Sequence, residues 1–309
     1  MKLSLPTLLT VLLATLSCAA GKVTAPAFHG ERAYAYLEKQ VAFGPRVPGS
    51  EAWRRCREYF CTQFRTLSLQ VDSQAFTFTD PYSNSEKPLV NLIVHVKGTD
   101  PSRLPIVFAA HWDSRPRSDN SPNAARLKDS LPGANDGASG VAVLMELANL
   151  FSAQPPACNI DLVLLDGEDW GREGDLGHYF LGAKHFTAEG VRGKYQFAIL
   201  MDMIGDKDQE ICREIYSDRF HKPLNDMVWH TARALGITSF IDSTKYAIED
   251  DHLSFNIGGL PTVDLIDFDY PYWHTEMDTP DKCSPGSLAN VGRVLAEIAY
   301  NSSLWPSKP

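Results

Sequence analysis

Four short and nearly continuous apolar runs follow residue 100 and constrain the fold more than any other feature of the chain. They are LPIVFAA (104–110), IDLVLL (160–165), FAILMDM (197–203) and TVDLID (262–267). Such runs suit strands covered on both faces, as in a mostly parallel sheet. Between and after them lie the helical stretches GASGVAVLMELANLF, HKPLNDMVWHTARALG and SLANVGRVLAEIAYN. The alternation predicts a three-layer α/β sandwich, with a mixed, mostly parallel central sheet flanked by helices.

The region before these runs predicts the start of the same domain. Residues 29–64 have helical patterning, interrupted by FGPRVPGS (43–50), whose prolines and glycines indicate a loop. Residues 69–79, LQVDSQAFTFT, alternate like a half-buried strand, and residues 90–97 continue as another. We expect these two strands at the more exposed edge of the sheet.

The first twenty residues, MKLSLPTLLTVLLATLSCAA, have the layout of a secretory signal. A lysine near the start precedes an apolar run, and small residues end the segment. We therefore divide the chain into a signal peptide (1–20) and a single α/β domain (21–309), and expect an exported protein, secreted or periplasmic. Lipid attachment through Cys18 is an alternative, although Thr15 stands where lipoprotein signals prefer leucine.

Charge and cysteine content exclude several classes of function. The formal net charge is −9 and no run of lysine or arginine occurs, so the sequence predicts neither a nucleic-acid partner nor binding to an anionic membrane surface. Five cysteines follow the signal at irregular spacing and form no CxxC pair, which argues against a disulfide framework and a thiolate zinc site. No nucleophile elbow, HExxH or GK[ST] phosphate loop is present.

Acidic and imidazole side chains collect where the apolar runs end. The carboxyl ends of strands in an open α/β sheet meet at the edge where ligands bind. Each residue has an ordinary local explanation, such as a hydrogen-bonded core histidine or a helix N-cap. Several carboxylates at one partly buried rim would repel one another, and a divalent cation removes that conflict. Imidazole and carboxylate ligands without thiolates favour zinc with one position open, and the residues concerned are His111, Asp136, Glu168, Asp169, Asp202 and His274.

The neighbouring acids Glu168 and Asp169 suggest a division of labour. Adjacent residues at a strand end point in different directions, so one carboxylate can bind metal while the other faces the substrate as a proton carrier. Gly167 permits the sharp turn that brings both to the rim. We expect Asp166, the first acid after the strand, to orient or cap this turn.

An ordered set of motifs resembles a known family. The set is HWDS (111–114), GANDGASGVAVLMELA (133–148), LLDGEDWG (164–171), ILMDMIG (199–205), EDDHLSF (249–255) and PYWHTEMDTPD (271–281). In order and spacing it resembles the zinc aminopeptidase-like α/β family, and within it most closely the glutaminyl cyclases of animal type and their bacterial relatives.

The resemblance implies roles for particular residues. It implies a carboxylate network in which Asp202 and Asp250 support Glu168 as general acid/base, and it places Trp273 at the wall of the substrate pocket. It also implies a cis peptide bond after Asp136. The implied zinc ligands are Asp136, Asp169 and His274, and many family members have glutamate at the position of Asp169.

Two activities fit this resemblance. In a glutaminyl cyclase, one zinc ion polarises the side-chain amide of an N-terminal glutamine while the α-amine attacks it and ammonia leaves. In an aminopeptidase, His111 and Asp202 would bind a second zinc ion and water would attack the peptide bond. We favour the cyclase because of Trp273 and Asp250, although Trp273 could simply pack in the core and Asp250 could cap a turn.

A secreted binding protein without turnover is a third, less favoured reading, since no implied ligand or base is missing. The expected partners are peptide or protein N-termini, with no membrane contact beyond a lipid anchor, and we expect a monomer.

Overall fold

The protein is described by a computed structural model that covers residues 24–306. The predicted signal peptide therefore lies outside the described residues. The helices are α1 (Gly30–Val41), α2 (Glu51–Thr66), α3 (Ala138–Ala153), α4 (Leu181–Ala188), α5 (Ile215–Ala234), α6 (Asp251–Gly258) and α7 (Pro285–Tyr300). The strands are β1 (Gln70–Asp80), β2 (Ser85–Val96), β3 (Ile106–His111), β4 (Ile160–Leu165), β5 (Ala198–Asp202), β6 (Ile211–Glu214), β7 (Phe240–Tyr246) and β8 (Thr262–Ile266).

Six strands form one mixed sheet in the order β1-β2-β4-β3-β5-β8. The four strands from the apolar runs, β4, β3, β5 and β8, are parallel to their neighbours in that group. β1 and β2 form an antiparallel extension at one edge, where β2 pairs with β4. The predicted mixed, mostly parallel sheet is confirmed, and the half-buried strands do lie at its edge.

Helices cover both faces of the sheet. Phe108 and Ala110 on β3 belong to the larger core, which α1, α2, α3, α5 and α7 complete. Val107 and Ala109 alternate with these residues along β3, and they belong to a second core under α4 and α6. Because side chains alternate along a strand, an uninterrupted apolar run supplies both cores at once. The three-layer sandwich is thus confirmed.

The loop between α1 and α2 is anchored to the start of the site region by a buried arginine. Arg46 donates hydrogen bonds to the backbone carbonyls of Trp112 at 2.9 Å, Pro132 at 2.8 Å and Gly133 at 2.6 Å. Arg46 has no exposed surface. Its guanidinium satisfies three backbone carbonyl groups in the irregular region between β3 and α3. These hydrogen bonds fix both ends of that region.

Two elements differ from the expectation. The two-stranded parallel sheet of β6 and β7 was not predicted, since it is short and shows register shifts. α5 begins at Ile215 rather than near residue 221, and His221 interrupts it with non-helical backbone angles ahead of Pro223. Proline disfavours helical backbone in the residues before it, so the sequence pattern is clear only after that point.

Two further features concern the described part of the chain. Cys56, Cys61, Cys158, Cys212 and Cys283 are all free thiols, in agreement with the irregular spacing. Within residues 24–306, no helix combines the length and apolar character that crossing a bilayer would require.

Candidate metal centre

The predicted metal and proton-transfer residues meet at one rim of the central sheet. Five strand or loop ends deliver them: His111 ends β3, Asp136 precedes α3, Glu168 and Asp169 follow β4, Asp202 ends β5 and His274 follows β8. All except His111 line a cavity of about 580 Å³. His111 is buried, with 2% of its surface exposed. The expectation that these groups converge is confirmed by their geometry.

Asp136, Asp169 and His274 form a first group able to hold a metal ion. One ligand atom from each lies within 4.8 Å of the others, and all three residues are buried. His274 Nε2 is 3.3 Å from Asp169 Oδ1 and 3.8 Å from Asp136 Oδ2. The Oδ2 atoms of Asp136 and Asp169 are buried without a hydrogen-bond partner. Two unsatisfied carboxylate oxygens beside an imidazole nitrogen are costly unless a cation joins them.

His111, Asp136 and Asp202 form a second group, which shares Asp136 with the first. His111 Nε2 lies 3.2 Å from Asp136 Oδ1 and 3.1 Å from Asp202 Oδ1. Burial lowers the pKa of His111, but hydrogen bonding to Asp113, Asp136 and Asp202 outweighs burial and raises it well above the usual 6.5. A protonated imidazole between two carboxylates offsets part of their mutual repulsion. His111 Nδ1 and Asp136 Oδ2 nevertheless have no hydrogen-bond partner.

A sharp turn after β4 presents Glu168 and Asp169. Gly167 has a φ angle of +73°, and a Cβ atom there would lie only 2.7 Å from a side-chain atom of Leu89. The backbone N–H groups of Glu168 and Asp169 donate to the carboxylate of Asp113, at 3.1 and 3.4 Å. Glycine is therefore required both by the backbone conformation and by the available space. Asp113 is the residue that stabilises the turn.

Asp166 has a role other than the predicted turn cap. Its Oδ2 atom accepts hydrogen bonds from the Val90 N–H at 2.7 Å and from Trp53 Nε1 at 2.9 Å. These contacts connect the end of β4 to β2 and α2. Burial, reinforced by the charge of Asp113, raises the pKa of Asp166 well above its usual 3.8. The first of the three acids is therefore a structural residue beneath the rim.

Glu168 faces the cavity in an acidic environment. Burial, reinforced by the charge of Asp169, raises the pKa of Glu168 well above 4.5. Asp250 lines the same cavity, and burial together with the charge of Asp202 raises its pKa to about 7. Carboxyl groups with such raised pKa values can exchange protons near neutral pH. Glu168, Asp202 and Asp250 thus share one cavity, and their catalytic roles stay predictions.

Asp250 also caps a helix, as the alternative interpretation held. It is the N-cap residue of α6, and its Oδ1 atom accepts a hydrogen bond from the Asp251 N–H at 2.5 Å. Its Oδ2 atom is buried without a hydrogen-bond partner. One oxygen therefore caps the helix, while the other is free to hydrogen-bond a neighbouring acid. Asp250 can thus be both a helix cap and a member of the carboxylate network.

Trp273 combines the two roles considered for it. It lines the cavity and stacks on His274, with ring centroids 4.0 Å apart and an interplanar angle of 29°. Its other neighbour is Phe268, at a centroid distance of 5.0 Å. The indole is half-buried, so it packs against the protein while presenting an apolar surface next to the candidate metal ligands.

The loop that carries Asp136 is organised by Asp278. The Asp278 carboxylate accepts hydrogen bonds from the N–H groups of Asn135 at 2.8 Å and Asp136 at 3.1 Å, and from the Tyr270 hydroxyl at 2.7 Å. The predicted cis peptide bond after Asp136 is wrong, since residues 24–306 contain no cis peptide. The unusual backbone is instead at Gly137, with a φ angle of +94°.

Comparison with known proteins assigns the chain to a family. The profile of peptidase family M28 matches residues 91–299, which is more than half of the chain. The chain belongs to peptidase family M28. The matched range begins in β2 and ends in α7, so it contains both candidate metal groups of this M28 chain.

Similar proteins carry cyclase and metalloprotease names. A crystal structure of Bacteroides thetaiotaomicron glutaminyl cyclase bound to N-acetylhistamine matches 90% of this M28 chain and 99% of its own, with a TM-score of 0.85 and 33% identity. The glutaminyl-peptide cyclotransferase-like protein of Bos taurus is 27% identical over 293 residues, covering 81% of this chain and 70% of the relative. A probable zinc metalloprotease of Pyrenophora tritici-repentis is 27% identical over 197 residues, and only 38% of its length is covered.

Sequence reasoning missed the charged residues that surround the ligands. Arg115, in the M28 chain, lies beside Asp169, and its partner Asp119 lies near His274. The only signal in the sequence was that Arg115 and Asp119 follow closely after HWDS. A position along the chain does not reveal a contact with the distant turn after β4. Such contacts depend on how the loops fold back over the rim.

A third group, Asp250, His252 and Asp264, lies behind the cavity of the M28 chain. His252 Nδ1 is 3.6 Å from Asp264 Oδ2, and His252 Nε2 is 3.4 Å from Glu214 Oε2. Of the three grouped residues, only Asp250 lines the cavity. His252 and Asp264 are fully buried, and they lie next to Asp250 without lining the cavity.

Proposed function

We propose that this chain is a zinc-dependent glutaminyl-peptide cyclotransferase, which converts the N-terminal glutamine of peptides to pyroglutamate and releases ammonia. The proposal is supported by likeness to a solved glutaminyl cyclase over 99% of that protein's length. It is also supported by the named bovine relative. Both comparisons agree with the activity that the sequence motifs predicted.

Zinc fits the donor atoms of the first group. Asp136, Asp169 and His274 supply two carboxylates and one imidazole, three protein ligands of types that zinc binds, with a fourth position left for substrate. The unsatisfied Oδ2 atoms of the two aspartates give the physical reason for a cation at this point. A bound zinc ion would polarise the side-chain amide carbonyl of the substrate glutamine.

Glu168 would carry the proton in this reaction. The substrate's α-amine nitrogen forms a bond to the side-chain amide carbon, and Glu168 removes one proton from that amine. The same proton then passes to the amide nitrogen as its bond to carbon breaks, so ammonia leaves and Glu168 is again a carboxylate. Asp202 and Asp250 would stabilise this exchange as neighbouring acids.

Trp273 would position the substrate. The glutamine side chain must curl back towards its own amine, and a flat apolar surface beside the metal ligands limits the conformations it can adopt. The cavity of about 580 Å³ is large enough to admit the first residue of a chain, which agrees with peptide or protein N-termini as substrates.

One observation favours a single zinc ion and therefore cyclisation. His111 Nε2 hydrogen-bonds Asp202 Oδ1 at 3.1 Å and lies 3.2 Å from Asp136 Oδ1, so one oxygen of each carboxylate in the second group already faces the imidazole. In the first group, by contrast, one oxygen on each aspartate has no partner. These unpartnered oxygens support the proposal of a cation at the first group.

A two-zinc aminopeptidase is the alternative function. It is favoured by the fact that His111, Asp136 and Asp202 also form a geometrically adequate ligand set, and that Asp136 is shared by both groups. Peptidases are represented in the family name itself. In that case His111 would lose its bridging proton and bind the second ion together with Asp202.

Mass spectrometry separates the two activities. The purified protein, loaded with zinc, is incubated with one peptide that begins with Gln and one that begins with Leu but is otherwise identical. We expect the Gln peptide to lose the mass of ammonia while the Leu peptide stays intact. Release of free leucine would support the aminopeptidase, and zinc stoichiometry near two would support the same conclusion.

We further propose that the protein is exported. The support is the layout of residues 1–20, with lipid attachment through Cys18 as the alternative. N-terminal sequencing of the mature protein tests this, because cleavage near residue 20 is expected and an intact Met1 would contradict it. A monomer also stays a prediction, which the molar mass in solution can check.

A further inference from the structure

We infer that the ion pair between Arg115 and Asp119 is a positioning clamp that holds two zinc ligands, Asp169 and His274, and thereby sets the affinity for zinc. The inference rests on the zinc site proposed above, and it assigns a function to two residues outside the ligand set. Arg115 follows β3 and has 1% of its side chain exposed.

Arg115 uses its guanidinium in two directions. Its Nη1 atom donates to Asp169 Oδ1 at 2.7 Å and to the Asp169 carbonyl oxygen at 3.2 Å. On the other side, Nε and Nη2 donate to the two carboxylate oxygens of Asp119 at 2.7 and 2.6 Å, and Nη2 also reaches the Tyr179 hydroxyl at 3.1 Å. A planar guanidinium with contacts on both sides has little freedom to rotate.

The contact with Asp169 determines which carboxylate oxygen is free. Oδ1 is occupied by Arg115, whereas Oδ2 is buried without a hydrogen-bond partner. Because Arg115 also holds the backbone carbonyl of Asp169, the residue is fixed at two points. The aspartate can therefore present Oδ2 to a cation without first losing side-chain freedom.

The contact with His274 comes through Asp119. His274 Nε2 faces Asp169 and Asp136, and His274 Nδ1 faces Asp119 Oδ1 at 3.9 Å. A carboxylate on the far nitrogen of a metal-binding histidine is the common outer arrangement at zinc sites. The distance is about 1 Å too long for a direct hydrogen bond, so Asp119 acts on His274 through its negative charge beside Nδ1.

Two opposing effects determine whether loss of Arg115 raises or lowers the affinity for zinc. Removing the positive charge of Arg115 would strengthen the attraction of zinc to the site, whereas it would also free Asp169 and leave a buried carboxylate oxygen without its donor. The side chain is buried and its contacts are short, so we expect the loss of positioning to prevail. Outer ligands of this kind typically change metal affinity by about 10- to 100-fold.

Zinc affinity, measured by competition with a fluorescent chelator, tests the clamp without relying on turnover. We expect R115M to bind zinc about 10- to 100-fold more weakly than the original protein. R115K should lie between the two, because lysine keeps the charge but cannot make both sets of contacts. D119N should also weaken zinc binding. If the pair acts as one unit, the double variant R115M/D119N should lose less binding free energy than the sum of the two single losses.

R213M is the matched control. Arg213 is also a nearly buried arginine with several acidic partners, at 7% side-chain exposure, and it does not line the catalytic cavity. Its substitution should lower the melting temperature while zinc affinity is unchanged. Circular dichroism of every variant separates a folding defect from a change at the site.

The outcomes distinguish the clamp from the zinc site itself. A folded R115M that binds zinc as tightly as the original protein, or more tightly, overturns the clamp, and equal losses in R213M and R115M do the same. If R115M fails to fold, R115K and D119N provide the test. Unchanged zinc affinity in both of these variants also overturns the clamp. Failure of the unaltered protein to bind zinc would instead reject the proposed site.

Discussion

At the scale of single residues, the site shows how neighbouring acids acquire different functions. Glu168 faces the cavity and, within residues 24–306, has no basic side chain at ion-pair distance, whereas Asp169 contacts Arg115 and His274. Burial alone would raise the pKa of Asp169, but the charges of His274 and Arg115 prevail and lower it below 3.8. The pKa values of the two neighbours are therefore shifted in opposite directions, which agrees with the roles proposed for them, a metal ligand and a proton carrier.

Substitution of these residues should separate chemistry from metal binding. We expect E168Q to retain zinc and to lose at least about 100-fold in turnover, because glutamine cannot transfer the proton. We expect H274A to lose zinc, since one of three protein ligands is removed. Metal analysis and turnover of both variants provide the measurement. Equal loss of zinc in the two variants would contradict the assignment.

The pH dependence of turnover should report the acidic surroundings of Glu168. A general base works only when deprotonated, so activity should fall on the acid side, with a midpoint above pH 4.5 because the pKa of Glu168 is raised. The charge of Asp250 contributes to that increase. D250N should therefore move the acid limb of kcat/KM to lower pH. A limb at the same pH, or at higher pH, would argue against a coupled network.

At the scale of secondary structure elements, the strand ends and the turns that follow them determine the site. The apolar runs predicted the strands, and their parallel arrangement brings their carboxyl ends to one edge. The turns were harder to predict, as Asp166 shows. Its sequence position suggested a turn cap, yet the turn is held by Asp113 at the end of another strand.

Gly167 offers a test of the turn after β4. G167A should destabilise the protein by about 1–3 kcal/mol and reduce turnover, because it combines a positive φ angle with a steric conflict against Leu89. G193A is the matched control, since Gly193 has a φ angle of +74° but no atom within 4 Å of an added Cβ. Chemical denaturation measures both. If the two variants lose the same stability, the conflict with Leu89 has no effect.

At the scale of the whole molecule, buried acids link stability to pH. Asp267 is 1% exposed and accepts hydrogen bonds from the N–H groups of Glu210 and Asp269. Burial raises its pKa from 3.8 to about 6. The folded state therefore binds a proton more tightly than the unfolded state does. Its contribution to stability is greatest below pH 3.8 and is lost as the pH rises through about 6.

We expect D267N to remove this part of the pH dependence. The shift corresponds to roughly 3 kcal/mol between the two ends of the window. Urea denaturation of both proteins, measured at intervals from pH 4 to pH 7, gives the slope of the unfolding free energy against pH. The slopes are compared rather than the absolute stabilities, because asparagine has one hydrogen-bond acceptor oxygen fewer than aspartate. An unchanged slope in D267N would assign the pH dependence to other acids.

Zinc should stabilise the whole fold if it binds only the native state. The first ligand group joins the loop before α3, the turn after β4 and the loop after β8, so an ion there connects three segments that are distant in sequence. We expect chelation to lower the melting temperature and added zinc to restore it in a concentration-dependent manner. A melting temperature that does not respond to zinc would contradict the proposed site.

The sequence by itself determined the layers of this protein and the identity of the groups at its rim. Strands covered on both faces must be apolar throughout, so the four runs indicated a parallel sheet, and strand direction then predicted that His111, Asp169 and Asp202 would share one edge. Only the tertiary structure decided which neighbour each acid has. Arg115, Asp113 and Asp278 act through contacts across loops that are distant in sequence, and no periodicity encodes such contacts. Hydrogen bonds and burial at those contacts set which oxygens are free and which carboxyls hold protons, and so decide the chemistry that the rim can perform.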